Sequence, residues 1–208
     1  MKILVFDTCL DKMYVTLAQD LNILSSKIVM NKDNKYHSAF LISTIKEVLK
    51  ANNLTPKDID AIGTNIGPGS FTGIRACTTV ARIMAQQLDI PAVGVSSLEI
   101  LSHLAANDKI PVVALDARKN CAYFSVNNKI KGAVLLDDIK EFLNNNSDDK
   151  YFLITDNKMK EKLGGMSFQD SEYPLGDILA ELTYKKLQAS ECKWQELKPL
   201  YIQPPPMG

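Results

Sequence analysis

Neither sign of charge prevails in this 208-residue sequence: lysine plus arginine and aspartate plus glutamate are equal at 24, a formal net charge of zero. Chains that grip nucleic acid unaided usually carry a basic excess to neutralise phosphate, so a neutral chain is a poor candidate for gripping RNA unaided. Neutrality also weakens self-repulsion, which suits life inside an assembly. Cysteine is scarce: Cys9, Cys77, Cys121 and Cys192 are widely spaced and form no CxxC pair. They read as free thiols of a reducing compartment rather than a disulfide framework or a zinc knuckle. Histidine is scarcer, with only His37 and His103. No apolar run reaches membrane-spanning length, and the apolar stretch Ile3-Leu4-Val5-Phe6 is too short for a signal peptide. A cytoplasmic protein without membrane contact is expected. What is present is ordinary core material, 46% hydrophobic and 23% charged residues, enough for one large or two small domains.

Ile3 to Phe6 is a continuous apolar run ending at Asp7-Thr8, the pattern of a buried strand feeding a turn. Met13 to Ala18 and Ile23 to Met30 follow as strands, suggesting an antiparallel meander. Tyr36 to Asn52 predicts a helix whose core stripe is Ser38, Leu41, Ile42, Ile45, Val48 and Leu49. Ile59 to Ile66 reads as a strand, Thr72 to Leu88 as a second helix, Pro91 to Val95 as a strand, and Ser97 as the cap of a helix reaching about Ala106. The order then restarts. Pro111 to Leu115 ends in Asp116, 109 residues after Asp7, and Tyr123 lies 109 residues after Tyr14. Ala122 to Val126 and Ile130 to Leu136 read as strands, Asp137 to Asn144 as a helix, Tyr151 to Thr155 as a strand and Pro174 to Ala189 as a long helix. The alternation predicts two related α/β lobes: residues 1–106, a degraded second lobe over 107–190, and a tail over 191–208.

Between strand and second helix stands Gly67-Pro-Gly-Ser-Phe-Thr-Gly73. Such a turn can aim backbone N–H groups and a helix N-terminus at an anion. It matches neither the Walker A loop nor G-x-G-x-x-G, and its glycines can equally serve a sharp bend and close packing. Both readings stand at this point. An anion or nucleotide site here would comprise Asp7, Thr8, Gly67, Gly69, Ser70 and Gly73.

The stretch Ile62-Gly-Thr-Asn-Ile-Gly-Pro-Gly-Ser-Phe-Thr-Gly-Ile-Arg75 closely resembles the signature of the TsaB (YeaZ) family. Phe6-Asp-Thr8, His37-Ser38, Ser96-Ser-Leu98, Asp116-Ala-Arg118 and Pro199-Leu-Tyr201 extend the resemblance over nearly the whole chain. It implies a duplicated actin-like, Hsp70/sugar-kinase (RNase H-like) fold. It also implies a role in making threonylcarbamoyladenosine in tRNA, paired with a TsaD-type transferase and with a TsaE-type ATPase in the complex, and a homodimer when alone. The chain departs from the family at Gln203-Pro-Pro-Pro206, where an arginine-containing ending is usual.

Three activities can be weighed. The TsaD paralogue holds a metal with two histidines one helical turn apart, but the position one turn after His37 is Leu41. That removes the direct case for transferase chemistry and for a metallopeptidase. An actin-type phosphotransferase would need carboxylates in both lobes. Asp7 and Asp116 sit at the two strand ends, but Ala117-Arg118 replaces a glycine pair. The expectation is therefore a non-catalytic subunit with no catalytic residue, no metal and no required cofactor, with room only for weak ATP or ADP binding. Cys9 and Cys77 read as small core residues.

The second helix carries Ile74, Cys77, Ala81, Met84, Ala85 and Leu88 on one side, yet the opposite side, Ala76, Val80, Ile83 and Gln87, is also largely apolar. Apolar surface on both sides implies burial on both. Tyr36, His37 and Phe40 add an outward face on the first helix. A partner interface is expected there, and the resemblance implies the same two helices as the docking surface for TsaD.

Overall fold

A computed structural model of the chain describes residues 1–30, 37–146 and 149–203. Two compact units result, Met1–Ser97 with Pro174–Leu200, and Leu98–Tyr173 with the residues after Leu200.

In the first unit β1 (Lys2–Asp7), β2 (Met13–Gln19) and β3 (Asn22–Val29) form the expected meander. The helix α1 (Leu41–Ala51) is entered through a short 3₁₀ turn at His37–Phe40. Next come β4 (Ala61–Asn65), α2 (Phe71–Leu88) and β5 (Ala92–Val95). The sheet order is β3-β2-β1-β4-β5, with β1, β4 and β5 parallel. Ile3, Leu4, Val5 and Phe6 are all fully buried, as a central strand covered on both faces must be. One face packs under α1 and α2 in a core that includes Leu4, Phe6, Val15, Leu41, Ile45 and Ile74.

The other face is covered by α6 (Leu175–Ala189), which lies against β1, β2, β4 and β5. The expected boundaries, 1–106, 107–190 and 191–208, place this helix in the second lobe. The contacts place it on the first sheet, because Leu175, Leu179, Ala180, Leu182 and Thr183 bury there a stripe that sequence alone cannot assign to either lobe.

The second unit repeats the plan. After α3 (Ser97–Ser102) come β6 (Ile110–Asp116), β7 (Cys121–Val126) and β8 (Lys129–Leu135), then α4 (Leu136–Asn145), β9 (Tyr151–Thr155), α5 (Asn157–Leu163) and β10 (Met166–Ser167). The sheet order β10-β9-β6-β7-β8 reproduces the first, with β6 antiparallel to β7 and parallel to β9. Both meanders carry a bulge between their second and third strands. The duplicated α/β fold is thus as expected. The residue equivalence needs one adjustment: Tyr14 opposes Asp7, but Ala122 opposes Asp116. The connection at positions 117–120 is one residue shorter than that at 8–12, so Tyr123 is displaced by one register position from the counterpart of Tyr14. The helix α5 and strand β10 were not foreseeable from periodicity. Asn157-Lys-Met-Lys-Glu-Lys-Leu163 buries only Met159, and its start is fixed by Asp156 Oδ1 accepting the Met159 N–H at 2.8 Å.

Candidate functional site

On α1 the buried residues are Leu41, Thr44, Ile45, Val48 and Leu49, one i, i+3, i+4, i+7, i+8 stripe. Ile42, assigned to that stripe from sequence, stands outside it and is 57% exposed. Phe40, expected to face outward, is instead half-buried and packs against the first core. On α2 the inner stripe is Gly73, Ile74, Cys77, Thr78, Ala81 and Ala85. Met84 and Leu88 are half-buried, and so are Ala76 and Val80 from the expected outward set. Ile83 is 55% exposed, and Gln87 is exposed. Tyr36 lies outside the described residues, as does the side chain of His37 and the tail from Pro204.

Side by side, α1 and α2 enclose an open groove of about 480 Å³. Ile45 and Leu49 of α1 and Val80 and Met84 of α2 line its depth. The more exposed Ile42 and Ile83 form its lips, and Leu54 and Pro56 of the following turn contribute further apolar wall. Lys46 and Lys50 from α1 and Gln87 from α2 supply the polar margin. Ala76 does not line it.

The glycine-rich turn does bring together Asp7, Thr8, Gly69, Ser70 and Gly73, and three of its N–H groups, those of Gly67, Ser70 and Gly73, are engaged within the chain. Gly67 N–H donates to Asn65 Oδ1 (2.8 Å) and Ser70 N–H to the Cys9 carbonyl (2.8 Å). Gly73 N–H donates to Ser70 Oγ (3.2 Å), a helix N-cap, and Ile74 N–H to the Ser70 carbonyl (2.8 Å). A Cβ on Gly69 would stand 2.3 Å from the Cys9 carbonyl oxygen, and one on Gly73 1.8 Å from that of Thr8. Close approach of α2 to the Thr8–Cys9 backbone is therefore what these glycines allow, which favours the packing reading of the turn. Asp7 is buried; its Oδ1 accepts the Cys9 N–H (2.6 Å) and its Oδ2 the Asn65 amide (2.9 Å). Asn65, itself fixed by the Ser97 hydroxyl (3.0 Å), was not singled out from sequence. The available signal was a polar residue closing an otherwise apolar strand. Cys9 and Cys77 are buried as expected, and burial, followed by its hydrogen bond to Cys77, pushes the Cys9 thiol well up from its ordinary value.

A family model described as "TsaD: tRNA N6-adenosine threonylcarbamoyltransferase" matches residues 23–146. The Bacillus subtilis "tRNA threonylcarbamoyladenosine biosynthesis protein TsaB" is 34% identical over 127 residues, 59% of this chain and 53% of that protein. The Haemophilus influenzae protein of the same name is 35% identical over 95 residues, 43% of this chain and 39% of that protein. The solved structure "YeaZ from Pseudomonas aeruginosa" aligns over 96% of this chain and 99% of that one, with a TM-score of 0.76 at 20% identity. The chain belongs to the TsaB (YeaZ) family.

The chain spans about half the length of the curated relatives it matches. The likeness to YeaZ is one of fold, over both units of this TsaB-family chain. The TsaD-type match, residues 23–146, contains α1, the glycine-rich turn and α2. In the second unit Asp116 is committed within the chain. Its Oδ1 accepts the Arg118 N–H (3.0 Å), and its Oδ2 pairs with Lys158 Nζ (3.0 Å). Burial would raise this carboxyl, but the Arg118 N–H and Lys158 outweigh it and hold it below its ordinary value. No helix among the described residues is long and apolar enough to cross a membrane.

Proposed function

We propose that this chain is a non-catalytic subunit of the machinery that makes threonylcarbamoyladenosine in tRNA, docking on a TsaD-type transferase through the α1–α2 groove. The observation that carries the reading is the groove itself: apolar side chains line it, and Ile42 and Ile83 remain more than half exposed. Contiguous apolar surface of this kind marks interfaces, and a groove between two helices fits an apolar helical face. The names of the curated relatives supply the process. Leu41, in the position where a second histidine would be needed, is buried in the first core, which supports a supporting rather than a bond-making role. In this reading the TsaE-type ATPase joins the complex, tRNA is met only through it, and no cofactor is required. A homodimer uses the same face, so self-association and pairing compete.

The test is Ile42→Glu and Ile83→Glu, singly and together. Both sites are exposed, so stability should change by no more than about 0.5 kcal/mol. A carboxylate closed into an apolar interface should cost at least about 2 kcal/mol, roughly 30-fold in affinity for the TsaD-type partner. Calorimetric titration and co-purification read the loss. Pairing that survives the double substitution would refute the docking face.

A further inference from the structure

We propose that Asp7, Cys9 and Cys77 bind a soft divalent cation of the zinc type, clamping the end of β1 to the second turn of α2. The two thiols and the carboxylate come from separate elements, yet their ligand atoms all lie within 4.8 Å of one another. A tetrahedral ion with bonds of about 2.3 Å to sulfur and about 2.0 Å to oxygen needs those atoms roughly 3.5–3.8 Å apart. The set is therefore within about 1 Å of closing on one ion by side-chain adjustment alone.

Donors converge on Asp7 and Cys77, while the Cys9 thiol donates to the Asn65 carbonyl (3.4 Å) and would release that proton on binding the ion. Thr8 N–H donates to Cys77 Sγ (3.1 Å), Cys9 N–H to Asp7 Oδ1 (2.6 Å) and Asn65 Nδ2 to Asp7 Oδ2 (2.9 Å). Asn65 is in turn held by Ser97 and the Gly67 N–H. Donors that orient ligating groups, themselves oriented from behind, are the outer layer a metal site needs. Thr8 Oγ1, 3.1 Å from Cys77 Sγ and donating to the Gly73 carbonyl (2.8 Å), belongs to that outer layer. Two sulfurs select zinc-like cations over magnesium or calcium, which demand oxygen ligands. All three residues are at most 2% exposed, so the fourth position they leave is closed to bulk solvent, and the ion's role is structural. Sequence spacing gives no hint of the site, because Cys9 and Cys77 are brought together only by the approach of α2 to the turn after β1.

The full chain, purified under reductant and stripped with chelator, is loaded with Zn²⁺ or Co²⁺ and desalted. One ion per chain should remain, and the cobalt form should show thiolate-to-metal charge transfer with tetrahedral visible bands. Zn²⁺ but not Mg²⁺ should raise the melting temperature by about 5 °C or more. Cys9→Ser and Cys77→Ser should each weaken binding by about 100-fold, while the Cys121→Ser/Cys192→Ser double variant keeps it. Should the core variants fold poorly, zinc protection of Cys9 and Cys77 from alkylation in the unaltered protein gives the same answer peptide by peptide. Failure to retain an ion, bands that follow Cys121 or Cys192, or alkylation unchanged by zinc would each overturn the site.

Discussion

Replacing Gly73 by alanine separates the two roles open to the glycine-rich turn. An alanine Cβ there would lie 1.8 Å from the Thr8 carbonyl oxygen, where ordinary contact begins at 3.4 Å, an overlap of 3.4 − 1.8 = 1.6 Å. The carbonyl has little freedom to turn away, since the Thr8 N–H bonds Cys77 Sγ and the Thr8 hydroxyl bonds the Gly73 carbonyl. Relief requires the start of α2 to lift. That strains or breaks the Thr8 hydroxyl bond (2.8 Å) and the Ser70 N–H bond to Cys9 (2.8 Å), each worth about 1 kcal/mol net. With an overpacking cost of about 1–3 kcal/mol, the total is roughly 3–5 kcal/mol, a fall in melting temperature on the order of 10 °C. Gly132→Ala is the control. Its Cβ would meet nothing within 4 Å, but φ is +107°, so it reads the backbone cost alone, about 1–3 kcal/mol. Urea unfolding followed by circular dichroism measures both, and calorimetry with Mg·ATP is run alongside. A Gly73→Ala protein as stable as the parent would refute the packing argument. Loss of nucleotide binding at unchanged stability would assign the glycine to a ligand.

Two further outcomes follow from charge. Asp116 has its carboxyl held below its ordinary value, so the stability it contributes is present above about pH 4 and is lost as pH falls through its folded-state value. Asp116→Asn should therefore be less stable than the parent at pH 7, by less than about 1 kcal/mol because Lys158 is largely exposed. The gap should close near pH 2, and a gap that persists there would show the ion pair is not its source. At the groove, Lys46 and Lys50 predict an acidic rim on the partner. Reversing both to Glu should slow association about 10-fold at low salt and much less at high salt, and faster association would contradict the assignment.

The apolar runs made most strands legible from sequence, and the repeated order of elements disclosed the duplication before any register was known. Helix phase was harder. Ile42 is three residues from Ile45 and seven from Leu49, which invites its assignment to the core stripe, but it stands about 100° around the helix from Leu41, at the edge of the buried face. Phe40 precedes α1 on a 3₁₀ turn, whose three-residue period breaks the phase on which its outward placement was based. The long-range choices were invisible for a different reason. That α6 returns to the first sheet, and that Asn65, Asp7, Cys9 and Cys77 share one buried corner, depend on contacts between distant segments that no local pattern encodes.

The size order along α2 argues that its outer face is under a demand of its own. Apart from Ile74, the residues facing the sheet are small, Gly73, Cys77, Thr78, Ala81 and Ala85, while Val80, Ile83 and Met84 lie toward the groove. A helix serving only its own core would place the larger side chains inward, where each contributes about 1.5–3 kcal/mol when fully buried. Small inner residues let α2 lie close to the sheet, and the Ser70 cap, the Gly73–Thr8 contact and the Cys77 corner then fix its rotation. Successive residues are 100° apart around a helix, so a slip of one residue would turn Ile83 away from α1 and leave the groove without one lip. The crowded corner at Thr8 and the open groove are thus two ends of one arrangement: the first sets the phase of α2, and the phase decides what the second presents.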